Sequence, residues 1–141
     1  MKYLYFILFN TILLMHPVAY AEEIKVEYKS YGTLMSTNTQ TGEVIIADKD
    51  NGKKLYQNSC RYCHKTDGKK SLVGALNLQG ISTRRSDVWL SDWLKSPVAF
   101  AKVNAEAKKL LDENPILIMP SLPEMQETQK RLDIMEYMKT L

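Results

Sequence analysis

Apolar residues recur at helical spacing through much of the second half of the chain. Trp89, Leu90, Trp93 and Leu94 fall on one stripe and predict a helix over residues 88–95. Ser86 or Asp87 is its expected cap, and Pro97 ends or follows it. A last helix is predicted over 127–140, with Leu132, Met135, Met138 and Leu141 near one stripe and Ile134 and Tyr137 beside it. A shorter helical pattern covers 105–111 and is broken by Asn114-Pro115. An earlier helix is expected over 52–60, with Leu55 and Tyr56 facing inward. Between these lie a polar loop at 66–70, an apolar loop at 72–81 punctuated by Gly74 and Gly80, and an apolar loop at 116–120. No internal repeat or low-complexity tract is present.

The N-terminal third has a different pattern. Val26, Tyr28 and Tyr31 hint at alternation, Thr41-Gly42 can turn the chain, and residues 43–47 read as a strand. Residues 22–50 are therefore expected to be an extension, folded as a short hairpin or an extended surface wrap. Before them, Lys2 precedes an apolar run at 3–15, broken by Asn10 and Thr11, and Ala19-Tyr20-Ala21 follows. That is the layout of a secretory signal peptide, with cleavage expected after Ala21. The run is short for a membrane span. The alternative is an uncleaved anchor, the one route by which this chain would hold a membrane. No cysteine near the cut offers a site for lipid attachment. The expected location is periplasmic.

Cleavage leaves residues 22–141, 120 residues, which suits one small domain over 51–141 behind the extension. The full chain has 19 basic and 16 acidic residues, and loss of Lys2 leaves a net charge of about +2. This balance is too mild to indicate nucleic-acid binding. Lys65, Lys69 and Lys70 cluster in one loop. They read either as a solvated face or as a docking patch for an acidic redox partner.

The strongest chemical signal is Cys60-Arg61-Tyr62-Cys63-His64. Cys-x-x-Cys-His is the attachment pattern of a c-type haem. Its two thiols add to the porphyrin vinyl groups, and the adjacent imidazole binds the iron. A thioredoxin-like pair needs no fixed histidine and sits in a strand–helix context. With His16 in the signal segment, the mature chain has two cysteines and one histidine. A self-contained zinc site would then need a carboxylate as its fourth ligand. A plain disulfide is the remaining alternative. One covalent haem c is the expected cofactor, held by Cys60 and Cys63, with His64 as axial ligand.

The other axial position decides the chemistry. No second histidine is present in the mature chain, and both thiols are committed to the vinyls. Methionine, lysine, tyrosine, the N-terminus, or water and a vacant site remain. Met35 lies in the extension, Met135 and Met138 occupy core-like positions, and Met125 sits where a residue packing under the last helix belongs. Met119 lies in an apolar loop stiffened by Pro120 and is the expected ligand. Met125, a lysine or an open site are the alternatives. Trp89 and Trp93 are read as core packing, with one of them in reach of the porphyrin edge.

These residues resemble class I cytochromes c, the small bacterial monohaem electron carriers, over residues 51–141. Gly52, Tyr56 and the haem motif are similar to the family's first helix, Met119-Pro120 to its axial methionine segment, and residues 132–141 to its terminal helix. The resemblance implies an all-α domain wrapped round the haem, with Gly52, Tyr56 and Tyr137 at the crossing of first and last helices. The family often carries a proline after the haem motif whose carbonyl orients the histidine. Residues 74–78 have none here, and the Leu76 carbonyl is the expected substitute. The function implied is periplasmic one-electron transfer between redox partner proteins, with no enzymatic machinery. A dedicated subunit of a larger oxidoreductase and a gas-binding haem protein with an open site are the alternatives.

Overall fold

The computed structural model describes residues 24–28, 32–38, 41–69, 71–115 and 117–141. The expected signal segment, Tyr31 and Lys70 lie outside the described residues. The first helix begins three residues earlier than expected, because Asp48 caps it. The Asp48 carboxylate accepts from the backbone N–H groups of Asp50 and Asn51 at 2.9 and 3.1 Å. Helix α1 spans Lys49–Leu55 and runs directly into a π-helical turn at Tyr56–Cys60.

Short elements follow: α2 at Ile81–Arg84, α3 at Asp87–Lys95, α4 at Pro97–Ala101 and α5 at Ala105–Glu113. The Ser86 hydroxyl caps α3 by accepting from Trp89 N–H, as expected. Pro97 does more than end α3. It starts α4 at the first helical turn, where a missing N–H leaves nothing unpaired. A 3₁₀ turn at Pro123–Gln126 leads into α6 at Thr128–Met138.

Helix α1 packs on α6, and the contact requires a glycine. A Cβ on Gly52 would fall on the Asp133 backbone carbonyl and lie 3.0 Å from Ile134 N. Around this crossing the Asp133 carboxylate is buried, and it accepts from Asp48 N–H (2.7 Å), Asn51 Nδ2 (2.7 Å) and Gln129 Nε2 (2.6 Å). Three donors satisfy an anion that would otherwise be costly to bury. Tyr56 and Tyr137 meet at the crossing with ring centroids 5.4 Å apart. The terminal segment is closed by Gly80, whose left-handed φ of 64° turns the chain so that its N–H donates to the Leu141 carbonyl at 2.8 Å.

The described residues of the domain over 51–141 hold helices and no strand, and the strands lie in the N-terminal extension. Strands β1 (Ile24–Tyr28), β2 (Leu34–Asn38) and β3 (Val44–Ile46) form an antiparallel sheet in the order β1-β2-β3. Tyr28 pairs with Leu34, and Met35 with Ile46. The described chain is predominantly helical with this sheet added, and a three-stranded meander replaces the expected hairpin. The sheet is also more than a surface wrap. Leu34 is fully buried in the same cluster as Leu132, Ile134 and Met135, and burial of such a side chain contributes about 1.5–3 kcal/mol. Leu34 N–H donates to the Glu136 carboxylate of α6 at 2.9 Å.

The Gly52 contact generates a prediction. Gly52→Ala forces α1 away from α6 and should lower the unfolding free energy of the holoprotein by about 2–3 kcal/mol, read by urea denaturation. An unchanged midpoint would contradict the close crossing.

Candidate functional site

The π turn delivers the cysteines. Over Tyr56–Cys60 the hydrogen-bond ladder widens, so that Arg61 N–H reaches the Tyr56 carbonyl at 3.0 Å. Such turns recur inside helices at functional sites. His64 and Cys63 N–H groups then close on the Cys60 carbonyl at 2.9 and 3.1 Å. Cys60 is buried and Cys63 exposed. Burial, then Glu124 and Cys63, push the Cys60 thiol up to about 11. A thioether at that position carries no charge to desolvate.

His64 has a fixed tautomer. Its Nδ1 lies 2.8 Å from the Leu76 carbonyl. A carbonyl only accepts, so Nδ1 carries the proton and Nε2 keeps a lone pair for a metal. The expected acceptor is thus in place without a proline, and a network around the loop explains how. Leu78 N–H donates to the Lys65 carbonyl (2.8 Å), Asn77 Nδ2 to the Lys69 carbonyl (2.7 Å), and Arg84 Nη2 to the carbonyls of Asn77 and Gln79 (2.8 and 2.9 Å). From the other side, the Tyr56 hydroxyl donates to the His64 carbonyl at 2.9 Å. Burial, the largest cause, raises the Tyr56 pKa and keeps it a donor.

Met119 is half-buried, and its Sδ accepts from Trp93 Nε1 at 3.1 Å. Met125 and Met135 are fully buried in the core and do not reach the cavity that Met119 borders. Met138 borders it from α6 but belongs to the core cluster. Met35 lies on β2, away from it.

Cys60, Cys63, His64 and Met119 line a single cavity of about 280 Å³, near the lower end for ligand sites. Its walls include Leu90, Leu94, Leu78 and Ile81, and Trp89, Trp93, Arg84 and Arg85 border it as well. The Trp89 Nε1 is buried with no hydrogen-bond partner among the described residues. The Arg85 guanidinium lies 5.0 Å over the Trp89 ring and 3.0 Å from the Glu106 carboxylate. An apolar slot with two thiols, one imidazole, one thioether, an unpaired indole N–H and two arginines fits a porphyrin. The macrocycle is apolar, its vinyls accept thiols, and its propionates are anions needing donors. Among the described residues, no three His, Cys, Asp or Glu side chains cluster to hold a metal ion.

The model of the cytochrome c family matches residues 49–141, about two thirds of the chain. The chain belongs to the cytochrome c family. Comparisons with curated proteins and with solved structures found no match. Membership makes this cytochrome a haem c electron-transfer protein whose cofactor is attached covalently. The match starts at Lys49, the first residue of α1, and the sheet lies ahead of it.

The structure modifies several expectations around the site. In the 72–81 loop, Gly74, Ala75 and residues 76–78 border the cavity, while Leu72 is almost fully exposed. Lys69 sits 3.6 Å from the Asp67 carboxylate, which offsets part of the expected basic patch. Both tryptophans border the cavity, beyond the expectation of core packing. Arg84 and Arg85 were not singled out by sequence reasoning. Their signal is an adjacent pair of cations immediately before a capped aromatic helix. Ser59 and Glu124 were also missed, being 65 residues apart.

The Ser59 hydroxyl donates to Glu124 at 2.5 Å, and this bond is the main cause of the lowered Glu124 pKa. A depressed carboxylate stabilises the fold above its unfolded pKa, and that contribution is lost as pH falls through the folded value. Ser59→Ala should therefore be less stable than the parent at pH 7, with the difference vanishing in acid below the carboxylate range. A difference constant with pH, measured by chemical denaturation, would contradict this linkage.

Proposed function

We propose that this cytochrome is an exported, class I, monohaem electron carrier in which Cys60 and Cys63 bear the haem through thioethers and His64 and Met119 supply the axial ligands. When bound, the haem contributes a one-electron ferric–ferrous couple. The rest is done by the chain. The observation that carries the reading is the His64 Nδ1 bond to Leu76, which leaves Nε2 free on the same cavity that Met119 borders. Both donors are held by independent elements, His64 by the α1 terminus and the 74–78 loop, Met119 by α3. Ligands fixed in this way move little between oxidation states, and a thioether favours the reduced state. The apolar walls do the same by disfavouring the extra positive charge of the oxidised centre.

The signal-like segment at 1–21 supports a periplasmic location, where haem attachment to exported chains takes place. Lys65 and Lys69 flank the haem motif and support docking of an acidic redox partner, at reduced strength because Asp67 pairs with Lys69. The family's members are generally carriers and not enzymes. A gas-binding role needs Met119 off the iron, and the Trp93 bond to its sulfur opposes that.

Met119→Ala should lower the reduction potential by on the order of 0.1–0.3 V, within the roughly 0.8 V that axial ligands span, and should admit carbon monoxide. Met125→Ala should leave the visible spectrum nearly unchanged while destabilising the fold by about 2–5 kcal/mol. Potentiometry and gas titration of the two holoproteins check both outcomes. Exchanged phenotypes would overturn the ligand assignment.

A further inference from the structure

The three-stranded sheet lies ahead of the family match, which begins at Lys49, and none of its described residues borders the cavity. It has two edges. The β3 edge is three residues long, and the Ile46 carbonyl at its end accepts from Gln129 Nε2 of α6 at 2.9 Å. The β1 edge is five residues long, and in the sheet order β1 has one neighbour, β2. An edge strand of that kind presents a row of backbone donors and acceptors to any further strand.

The residues of β1 specify which further strand fits. Ile24, Lys25, Val26, Glu27 and Tyr28 alternate between apolar and charged. Register sorts them by face. Val26 and Tyr28 stand across from Ser36 and Leu34, both buried, while Lys25 and Glu27 stand across from Thr37 and Met35. The strand is also complementary to itself when reversed about Val26. In an antiparallel pair of two copies centred there, Lys25 of each copy lies opposite Glu27 of the other, and Ile24 lies opposite Tyr28. Glu23 and Lys29 continue the same reversal in sequence. A parallel, in-register pair sets Lys25 against Lys25 and Glu27 against Glu27, and like charges directly opposite one another are destabilising. The alternation thus selects the pairing that a two-fold axis generates. We propose that β1 is a homodimer interface: two copies of this chain join edge to edge through antiparallel β1 strands, with none of the cavity-lining residues of either copy in the contact. Three strands from each copy then form one continuous sheet. A contact of one strand from each side is small, so the dimer depends on concentration.

The test is sedimentation velocity of the holoprotein over a concentration series, followed by haem absorbance. The parent should pass from monomer to dimer. Lys25→Glu and Glu27→Lys each set like charges opposite one another twice in the pair, and each should weaken the dimer about tenfold or more. The double variant Lys25→Glu/Glu27→Lys restores opposite charges and should dimerise like the parent. An equimolar mixture of the two single variants should form a mixed dimer, because one strand is then acidic at both positions and the other basic. A role for either residue within its own chain gives neither the rescue nor the mixed dimer. A parent that stays monomeric throughout the series overturns the proposal, and so does a dimer that both single variants form as tightly as the parent. Loss in the single variants with no recovery in the double variant or in the mixture counts against it equally. Should a charge variant not accumulate, the parent gives the second reading. Zero-length carbodiimide coupling of mixed ¹⁵N-labelled and unlabelled holoprotein should join Lys25 of one chain to Glu27 of the other, seen by mass spectrometry as a peptide pair carrying both labels. Absence of that mixed pair contradicts the interface.

Discussion

Everything near the haem site hangs from the place where α1 lies on α6 without a side chain between them. Gly52 lets the two backbones approach, and the Asp133 carboxylate fixes the N-terminal end of α1 by accepting from Asp48 N–H and Asn51 Nδ2. Because α1 runs unbroken into the π turn, its placement decides where Cys60 sits. Cys60 and Tyr56 share the inner side of that segment, and Tyr56 closes both the helix crossing and the His64 carbonyl. A single close contact thus orients Cys60 and, one turn later, the His64 imidazole.

The far side of the cavity is built by different means. No long helix carries Met119. Its loop is bracketed by α5 and by the 3₁₀ turn, and the turn is held by the buried Arg131 guanidinium, which donates to the Met125 and Gln126 carbonyls at 2.7 and 2.9 Å. Burial lowers the Arg131 pKa, yet the carbonyls satisfy much of its charge. Between those supports, Trp93 of the Trp89–Trp93 stack donates to the Met119 sulfur. The site therefore joins one candidate ligand, His64, set by helix packing to another, Met119, whose sulfur meets the aromatic stack. That division suits an electron carrier, in which both ligands must stay put.

The parts of this arrangement that are local in sequence were legible there. The haem motif occupies five consecutive residues, the Ser86 cap lies three residues from the N–H it satisfies, and Gly52 with Tyr56 marks one helix face. The Leu76 carbonyl could be named from the family resemblance, by its place in the stretch where the family often has a proline. What was not legible depends on pairing across distance. The sheet arises because Leu34 finds a slot against α6 some hundred residues away, which no alternation in 22–50 specifies. The π turn looks like an ordinary helix by periodicity, since one extra backbone residue per turn shifts no apolar position enough to show. Trp93 was read as packing because its stripe with Leu90 and Leu94 has a sufficient explanation in the core. Its bond to a sulfur 26 residues onward leaves no trace in spacing.

The central claim is that Met119 completes the coordination begun by His64. The most direct measurement is the visible absorption spectrum of the purified holoprotein, oxidised and reduced, with and without carbon monoxide. The account predicts a sulfur-to-iron charge-transfer band in the oxidised form and a reduced spectrum that the gas leaves unchanged. An oxidised spectrum without that band, together with a clear shift of the reduced spectrum under carbon monoxide, would contradict it and point to an open site.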